Sequence, residues 1–277
     1  MKPESLLNAG RYSSSWVRDF YDQTGIWWGA DSDIPDEDLA RGAAIERLGG
    51  AGPKRVLELG CGAGHSAAAA ADYGHDVTGI DLSPRRIGQA KKLLNKPHIG
   101  RLEFQEADFY TVELAGKFDV VTYWDGFGIG TDADQRRLLR RIAKEWLAPG
   151  GCALIDVASP LWVMRREGTV QRLAPLPGVP GSVEMDRRYR FDPLHCRWID
   201  EWQPVAAPQE ALAQTIRCYT PADFLLLLEG TGLALQGLEV EGEAIDFRTD
   251  RIVTREALME TYCYLVKLTS EEIAPTG

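Results

Sequence analysis

With 277 residues, 44% of them apolar, the chain is long enough for one domain with a substantial insertion, and apolar enough for a real core rather than disorder. A net charge of −10 disfavours nucleic acid or an anionic membrane as substrate, because both need a basic face. The five cysteines (Cys61, Cys152, Cys196, Cys218, Cys263) are odd in number and form no C-x-x-C, which argues against a disulfide framework or a metal site and for reduced thiols in a cytoplasmic protein.

Met1 to Ser5 carries no apolar export signal, and no stretch approaches the ~20 apolar residues that span a bilayer. Residues 1–30 are rich in aromatics, and Trp16, Phe20 and Trp27 recur at helical spacing. A second helix starts at Pro35 or Asp36, runs to about Leu48 and stops at Gly49-Gly50. Strands then alternate with helices: strands at Lys54–Leu59, Asp76–Asp81, Leu102–Ala107, Phe118–Trp124 and Cys152–Val157, with helices at Ala63–Tyr73, after Ser83-Pro84, and from Thr131 or Asp132 to Trp146. Nearly all-apolar strands separated by helices predict a parallel sheet covered on both faces. After Ser159-Pro160 the alternation breaks. Val183–Phe191 and Arg197–Gln203 read as an antiparallel pair turning at Asp192–His195, with a third strand at Gln214–Tyr219. A helix from Thr220 through Leu228 and strands at Leu235–Val240 and Tyr262–Leu268 complete the chain. The expected division is a helical lid over residues 1–50, a core over 51–159 and 216–277, and an inserted cap over 160–215. The pairs Arg85-Arg86, Arg136-Arg137, Arg165-Arg166 and Arg187-Arg188 read as solvated surface.

The run Val56-Leu57-Glu58-Leu59-Gly60-Cys61-Gly62-Ala63-Gly64-His65 leads an apolar strand into three alternating glycines. Glycine permits a sharp turn and close approach of a ligand, and the following helix offers free N–H groups. Asp81, ending the next strand, suits the two hydroxyls of a ribose. A nucleoside is therefore expected. A dinucleotide site wants G-x-G-x-x-G, but His65 stands where its third glycine would be.

With Glu58, Asp81 and the later motifs in order, the chain resembles the class I S-adenosylmethionine-dependent methyltransferases, and among them the bacterial enzymes of natural-product tailoring. The resemblance covers roughly residues 54–158 and 217–268. It implies a Rossmann-like α/β fold: a mostly parallel seven-stranded sheet with the last strand antiparallel, here joined by the helical lid and the antiparallel cap. It implies that Gly60, Cys61, Gly62 and Gly64 cradle the methionine end of S-adenosylmethionine, that Glu58 orders the loop or meets the ammonium through water, and that Asp81 and Leu82 hold the ribose. It further implies that Asp108 meets the adenine amino group, Phe109 packs the ring, and Trp124 touches the cofactor, which leaves as S-adenosylhomocysteine. Asp125 and Phe127, after the fourth strand, are expected to line the acceptor pocket.

The chain lacks N-P-P-[YF] and any carboxylate cluster for a divalent ion, which points to a small-molecule acceptor handled without metal. The aromatic N-terminus exceeds what a packing helix needs. Tyr12 and Trp28 are candidates for the acceptor, since an aromatic face attracts a cation by about 0.5–2 kcal/mol, and Tyr21 for a hydrogen bond to the acceptor or to the cofactor carboxylate. His195, at the cap hairpin, is the histidine placed to reach an acceptor, although an exposed turn residue is the simpler reading. So weak a case for a base favours N-methylation, which runs on positioning, over O-methylation. C-methylation of an alkene or electron-rich ring is the alternative, and a binding protein that transfers no methyl is a further one. The aromatic N-terminal segment suggests a homo-oligomer.

Overall fold

The computed structural model describes residues 16–28, 34–245 and 252–271. Among the described residues the strands form two sheets, of eight and four strands. The larger is built from β1 (Arg55–Leu59), β2 (Asp76–Asp81), β3 (Leu102–Glu106), β4 (Phe118–Tyr123), β5 (Leu147–Ala158), β10 (Leu233–Val240), β11 (Glu243–Ala244) and β12 (Cys263–Ser270). Their order is β11-β10-β12-β5-β4-β1-β2-β3. The first five strands pair in parallel, and β12 runs antiparallel between β5 and β10. This is the expected mixed sheet, with an eighth strand because the two-residue β11 extends the edge. The order reverses at β1 and β4, so a crevice opens beyond their carboxyl ends.

Sequence explains the close layering. Val56, Leu57 and Leu59 on β1 and Val120 and Val121 on β4 are fully buried, as strands covered on both faces must be. Helix α3 (His65–Asp72) carries Ala67 to Ala71, all fully buried, and these small side chains let α2 (Asp36–Gly49) lie close against it. A Cβ at Gly42 would stand 3.1 Å from Ala69. That approach brings Arg41, next to Gly42, to the mouth of the crevice.

Helix α4 (Pro84–Ala90) starts with Pro84 after Ser83, whose hydroxyl accepts from the Arg86 N–H, and it passes into a 3₁₀ turn over Lys91–Asn95. Helix α5 (Asp132–Arg141) opens on a capping box made by Thr131 and Asp134 and ends in a π-helical turn over Ile142–Trp146. Strand β5 begins at Leu147, ahead of the expected start at Cys152, because Leu147 already pairs with Phe118 of β4. Three further elements differ from expectation: α6 (Pro160–Met164), β6 (Val170–Leu173), and α8 (Ile252–Glu260) just before β12. Each is short or lacks a clean apolar period. Before β10 lies α7 (Pro221–Leu228), opened by a second capping box from Thr220 and Asp223.

The smaller sheet is antiparallel, in the order β6, β7 (Met185–Asp192), β8 (Arg197–Pro204), β9 (Leu212–Arg217). Its register pairs Arg187 with Trp202, Tyr189 with Asp200, and Asp200 with Gln214. Alternation therefore puts Arg187, Trp198, Asp200, Trp202 and Gln214 on one face. Helix α1 (Val17–Trp27) covers that face; Trp16, Phe20 and Trp27 are buried with Trp198, Trp202 and Ile216. Among the described residues no helix is long and apolar enough to cross a membrane.

Candidate active site

One cavity of about 450 Å³ fills the crevice. Its floor is the β1 loop, where Gly60, Gly62 and Gly64 all have left-handed φ. Gly64 is obligatory, because a Cβ there would stand 2.5 Å from Phe104. A Cβ at Gly62 would meet nothing, so that position is open to a ligand. Asp81 fixes the loop: its two carboxylate oxygens accept from the Gly62 N–H at 2.9 Å and the Ser83 N–H at 2.8 Å. Burial pushes its carboxyl above the usual range.

Glu58 is buried. One of its oxygens accepts from Ser66 Oγ at 2.6 Å; the other has no hydrogen-bond partner among the described residues. Burial pushes its carboxyl up to about 8. A buried carboxylate with a spare oxygen beside an open glycine loop suits a cationic ligand such as the ammonium of an amino-acid tail. Asp108 lines the same end; one of its oxygens caps the Tyr110 N–H at 2.8 Å. Phe109, Leu82 and Cys61 also line it, and burial raises the Cys61 thiol well above its ordinary value. The residues present fit S-adenosylmethionine.

The rest of the cavity is lined by side chains from distant segments: Tyr21 of α1 and Trp28 just after it, Trp124 and Asp125 after β4, Arg187, Trp202 and Gln214 of the smaller sheet, and Tyr262 before β12. The loop after β4 folds tightly over Tyr123, whose hydroxyl donates to the Gly126 carbonyl at 2.8 Å; a Cβ at Gly126 would collide with that ring at 2.5 Å. The fold of the loop gives Asp125 a left-handed φ of 57° and leaves its side chain 47% exposed at the cavity wall. Arg41 then clamps Asp125, reaches Asp156 on β5 at 3.4 Å, and lies over the Trp124 ring at 5.6 Å. Burial opposes the Arg41 charge, but Asp125, Asp156 and neighbouring acids outweigh it and hold the guanidinium firmly protonated. Burial, then the Asp125 charge, push the Asp156 carboxyl up to about 7, against the pull of Arg41.

Several expectations need correction. Phe127 does not line the cavity; it is fully buried beneath the loop among Tyr123, Tyr219 and Phe224. Gly128 sits so close to Arg217 that a Cβ would be 2.3 Å from its carbonyl, which pins the loop with Phe127 turned inward. His195 does not line the cavity either: it lies in the β7–β8 turn, its Nδ1 2.7 Å from Asp192. Tyr12 lies outside the described residues. Two members of the arginine pairs are not solvated surface. Arg86 is buried and stacks on Trp28 at 4.7 Å, and Arg187 stacks on Trp202 at 4.7 Å and pairs with buried Asp200 at 2.7 Å. Arg41, Asp156, Trp202, Gln214 and Tyr262 went unnoticed in the sequence. The one available signal was the enrichment of tryptophan in residues 160–215, at Trp162, Trp198 and Trp202. Among the described residues, no three metal-binding side chains cluster.

Residues 56–151 match the family described as a methyltransferase domain. A cypemycin N-terminal methyltransferase from Streptomyces is 35% identical over 118 residues, 42% of this chain and 46% of that protein. A ubiquinone biosynthesis O-methyltransferase from Aromatoleum aromaticum is 34% identical over 100 residues, 35% of this chain and 43% of that protein. The match spans less than half the length of either relative. The solved structure of the CcbJ methyltransferase from Streptomyces caelestis is similar over 96% of this chain and all of that one, at a TM-score of 0.69 and 19% identity. With the strand order, these matches show that residues 56–151 resemble a methyltransferase domain and that the chain has the fold of the class I methyltransferases.

Proposed function

We propose that the protein methylates a nitrogen of a small amine-bearing secondary metabolite by direct displacement. S-adenosylmethionine, when bound, supplies a methyl group on a sulfonium. The chain's residues do the rest. The glycine loop, Glu58, Asp81 and Asp108 hold the cofactor, and Asp125 accepts a hydrogen bond from the acceptor amine. The lid and cap aromatics exclude water and align the lone pair with the methyl carbon. The observation that carries this reading is the acceptor end itself: Asp125 stands among aromatic rings. His65, the histidine that lines the cavity among the described residues, lies instead beside the glycine loop. That is the equipment of positioning rather than of proton abstraction from a hydroxyl. The similarity to an N-terminal methyltransferase adds support.

One observation favours a second reading. Tyr21, Trp28, Trp124, Trp202 and Tyr262 surround the acceptor end, and such a cage would stabilise a carbocation formed by C-methylation of an alkene. A label experiment separates the two. The protein is given S-adenosylmethionine with a ¹³C methyl group and a pool of small amines and prenylated ring compounds. Label on nitrogen supports the first reading, and label on carbon supports the second. Binding of the cofactor with no label transferred on any acceptor would overturn both and leave a binding protein. We further propose a cytoplasmic protein, in keeping with five unpaired cysteines, and a homo-oligomer. Light scattering of a variant lacking the first 30 residues should show fewer chains per particle; an unchanged number would refute a role of that segment in assembly.

A further inference from the structure

Tyr21 stands where the two ends of the cavity meet. Burial raises its hydroxyl above the ordinary value, and the charges of Asp81 at one end and Asp125 at the other push the same way. It is therefore neutral at any working pH and does not serve as a base. Its proton has a fixed destination: the hydroxyl donates to Gln214 Oε1 at 2.9 Å. The orientation of that amide follows from its other neighbour. Asp200 is fully buried and, paired with Arg187, can only accept. It takes Arg187 Nε at 2.7 Å and Nη2 at 3.1 Å, Trp202 Nε1 at 2.8 Å, and Gln214 Nε2 at 3.0 Å. The Gln214 NH₂ must face Asp200, its carbonyl must face Tyr21, and Tyr21 must donate.

We propose that Gln214 and Asp200 are positioning residues: by engaging the Tyr21 proton they turn its oxygen lone pairs to the cavity, so that Tyr21 acts there as a hydrogen-bond acceptor. An acceptor molecule that presents an N–H is then oriented by Tyr21. One that offers only lone pairs at that point is rejected, because it meets another lone pair. This inference rests on the reading of the cavity as a methyl-transfer site, and it predicts selectivity for primary and secondary amines over tertiary ones. The polarity is set entirely from the cap, through strands 8 and 9 of the register above.

The test uses the full chain carrying tyrosine labelled with ¹³C at Cζ, the Tyr21 signal being assigned with Tyr21→Phe. Gln214→Met should move the Tyr21 signal and slow single-turnover methyl transfer by about tenfold, with S-adenosylhomocysteine affinity unchanged. Gln214→Glu, which keeps an accepting oxygen opposite Tyr21, should hold the rate within about threefold. Asp200→Asn should slow transfer, and adding Gln214→Glu should restore it, since the new carboxylate accepts from both sides. Should Asp200→Asn fail to fold, as judged by circular dichroism, the contrast between Gln214→Met and Gln214→Glu decides. A Tyr21 signal unmoved by Gln214→Met, or equal rates in the Met and Glu variants, would overturn the proposal. If the wild-type chain methylates nothing, the proposed function falls. The NMR signal then decides the hydrogen-bond polarity alone: moved by Gln214→Met it stands, unmoved it falls.

Discussion

The two ends of the cavity are made in different ways. The end proposed to hold the cofactor is largely backbone: three left-handed glycines, a loop tied by Asp81, and a helix start, all within Glu58–Asp81. The end proposed for the acceptor is side chains borrowed from four distant segments and held by charge: Arg41 on Asp125 and Asp156, Arg86 on Trp28, Arg187 on Asp200. A site made by local backbone is set by spacing along the chain. A site made by convergence depends on packing and can be rebuilt for another acceptor without disturbing the first. On this account the ends should be separable by mutation.

The widest separation is expected at Asp81. Asp81→Ala removes the carboxylate that ties Gly62 and Ser83, and calorimetry should show S-adenosylhomocysteine affinity reduced several hundredfold, about the loss of a buried charged partner. Asp125→Ala should do the opposite: turnover lower on the order of a hundredfold, cofactor affinity within about twofold. Parallel losses in both properties for either variant would break the comparison.

Glu58 sharpens it through pH. In the ligand-free protein its carboxyl is raised from the ordinary 4.5 to about 8 by burial, so at pH 6 it holds a proton that a cationic ligand must displace. Cofactor affinity should rise about tenfold per pH unit up to about pH 8 and then level, with proton release on binding. The same shift means that the folded chain binds more protons than the unfolded one between pH 4.5 and 8. The melting temperature of the ligand-free protein should therefore fall as pH rises through that window, and Glu58→Gln should flatten both curves.

Trp28 packs between Arg86, whose charge acts on Asp81, over its ring at 4.7 Å, and Trp202, edge-on at 5.2 Å. Trp28→Ala should weaken cofactor affinity and turnover together, by about fivefold each. His195→Ala, in the outer hairpin turn, should change neither by more than about twofold.

The legibility of the sequence follows the same division. Gly60, Gly62, Gly64, Glu58 and Asp81 could be read because each is required by its neighbours: a sharp turn needs glycine, and a strand end offers its carboxylate to the crevice. Arg41 could not. It sits on α2 four residues after Glu37 and three after Asp38, the pattern of an ordinary solvated helix face. Only the approach of α2 to α3 at Gly42 reveals that Arg41 reaches across to β5. Arg187 was hidden likewise, because strand register, not composition, sets which of Arg187 and Arg188 faces inward. Phe127 was misplaced for the converse reason: position in the loop after β4 was legible, but the turn at Gly128 that buries the ring depends on contact with Arg217, far along the chain.

The most direct test of the two-ended cavity is calorimetric titration of S-adenosylhomocysteine into the wild-type chain, Asp81→Ala and Asp125→Ala under one set of conditions. The account predicts tight binding by the wild type, retained in Asp125→Ala and lost in Asp81→Ala. Equal binding by both variants, or loss in Asp125→Ala alone, would contradict it.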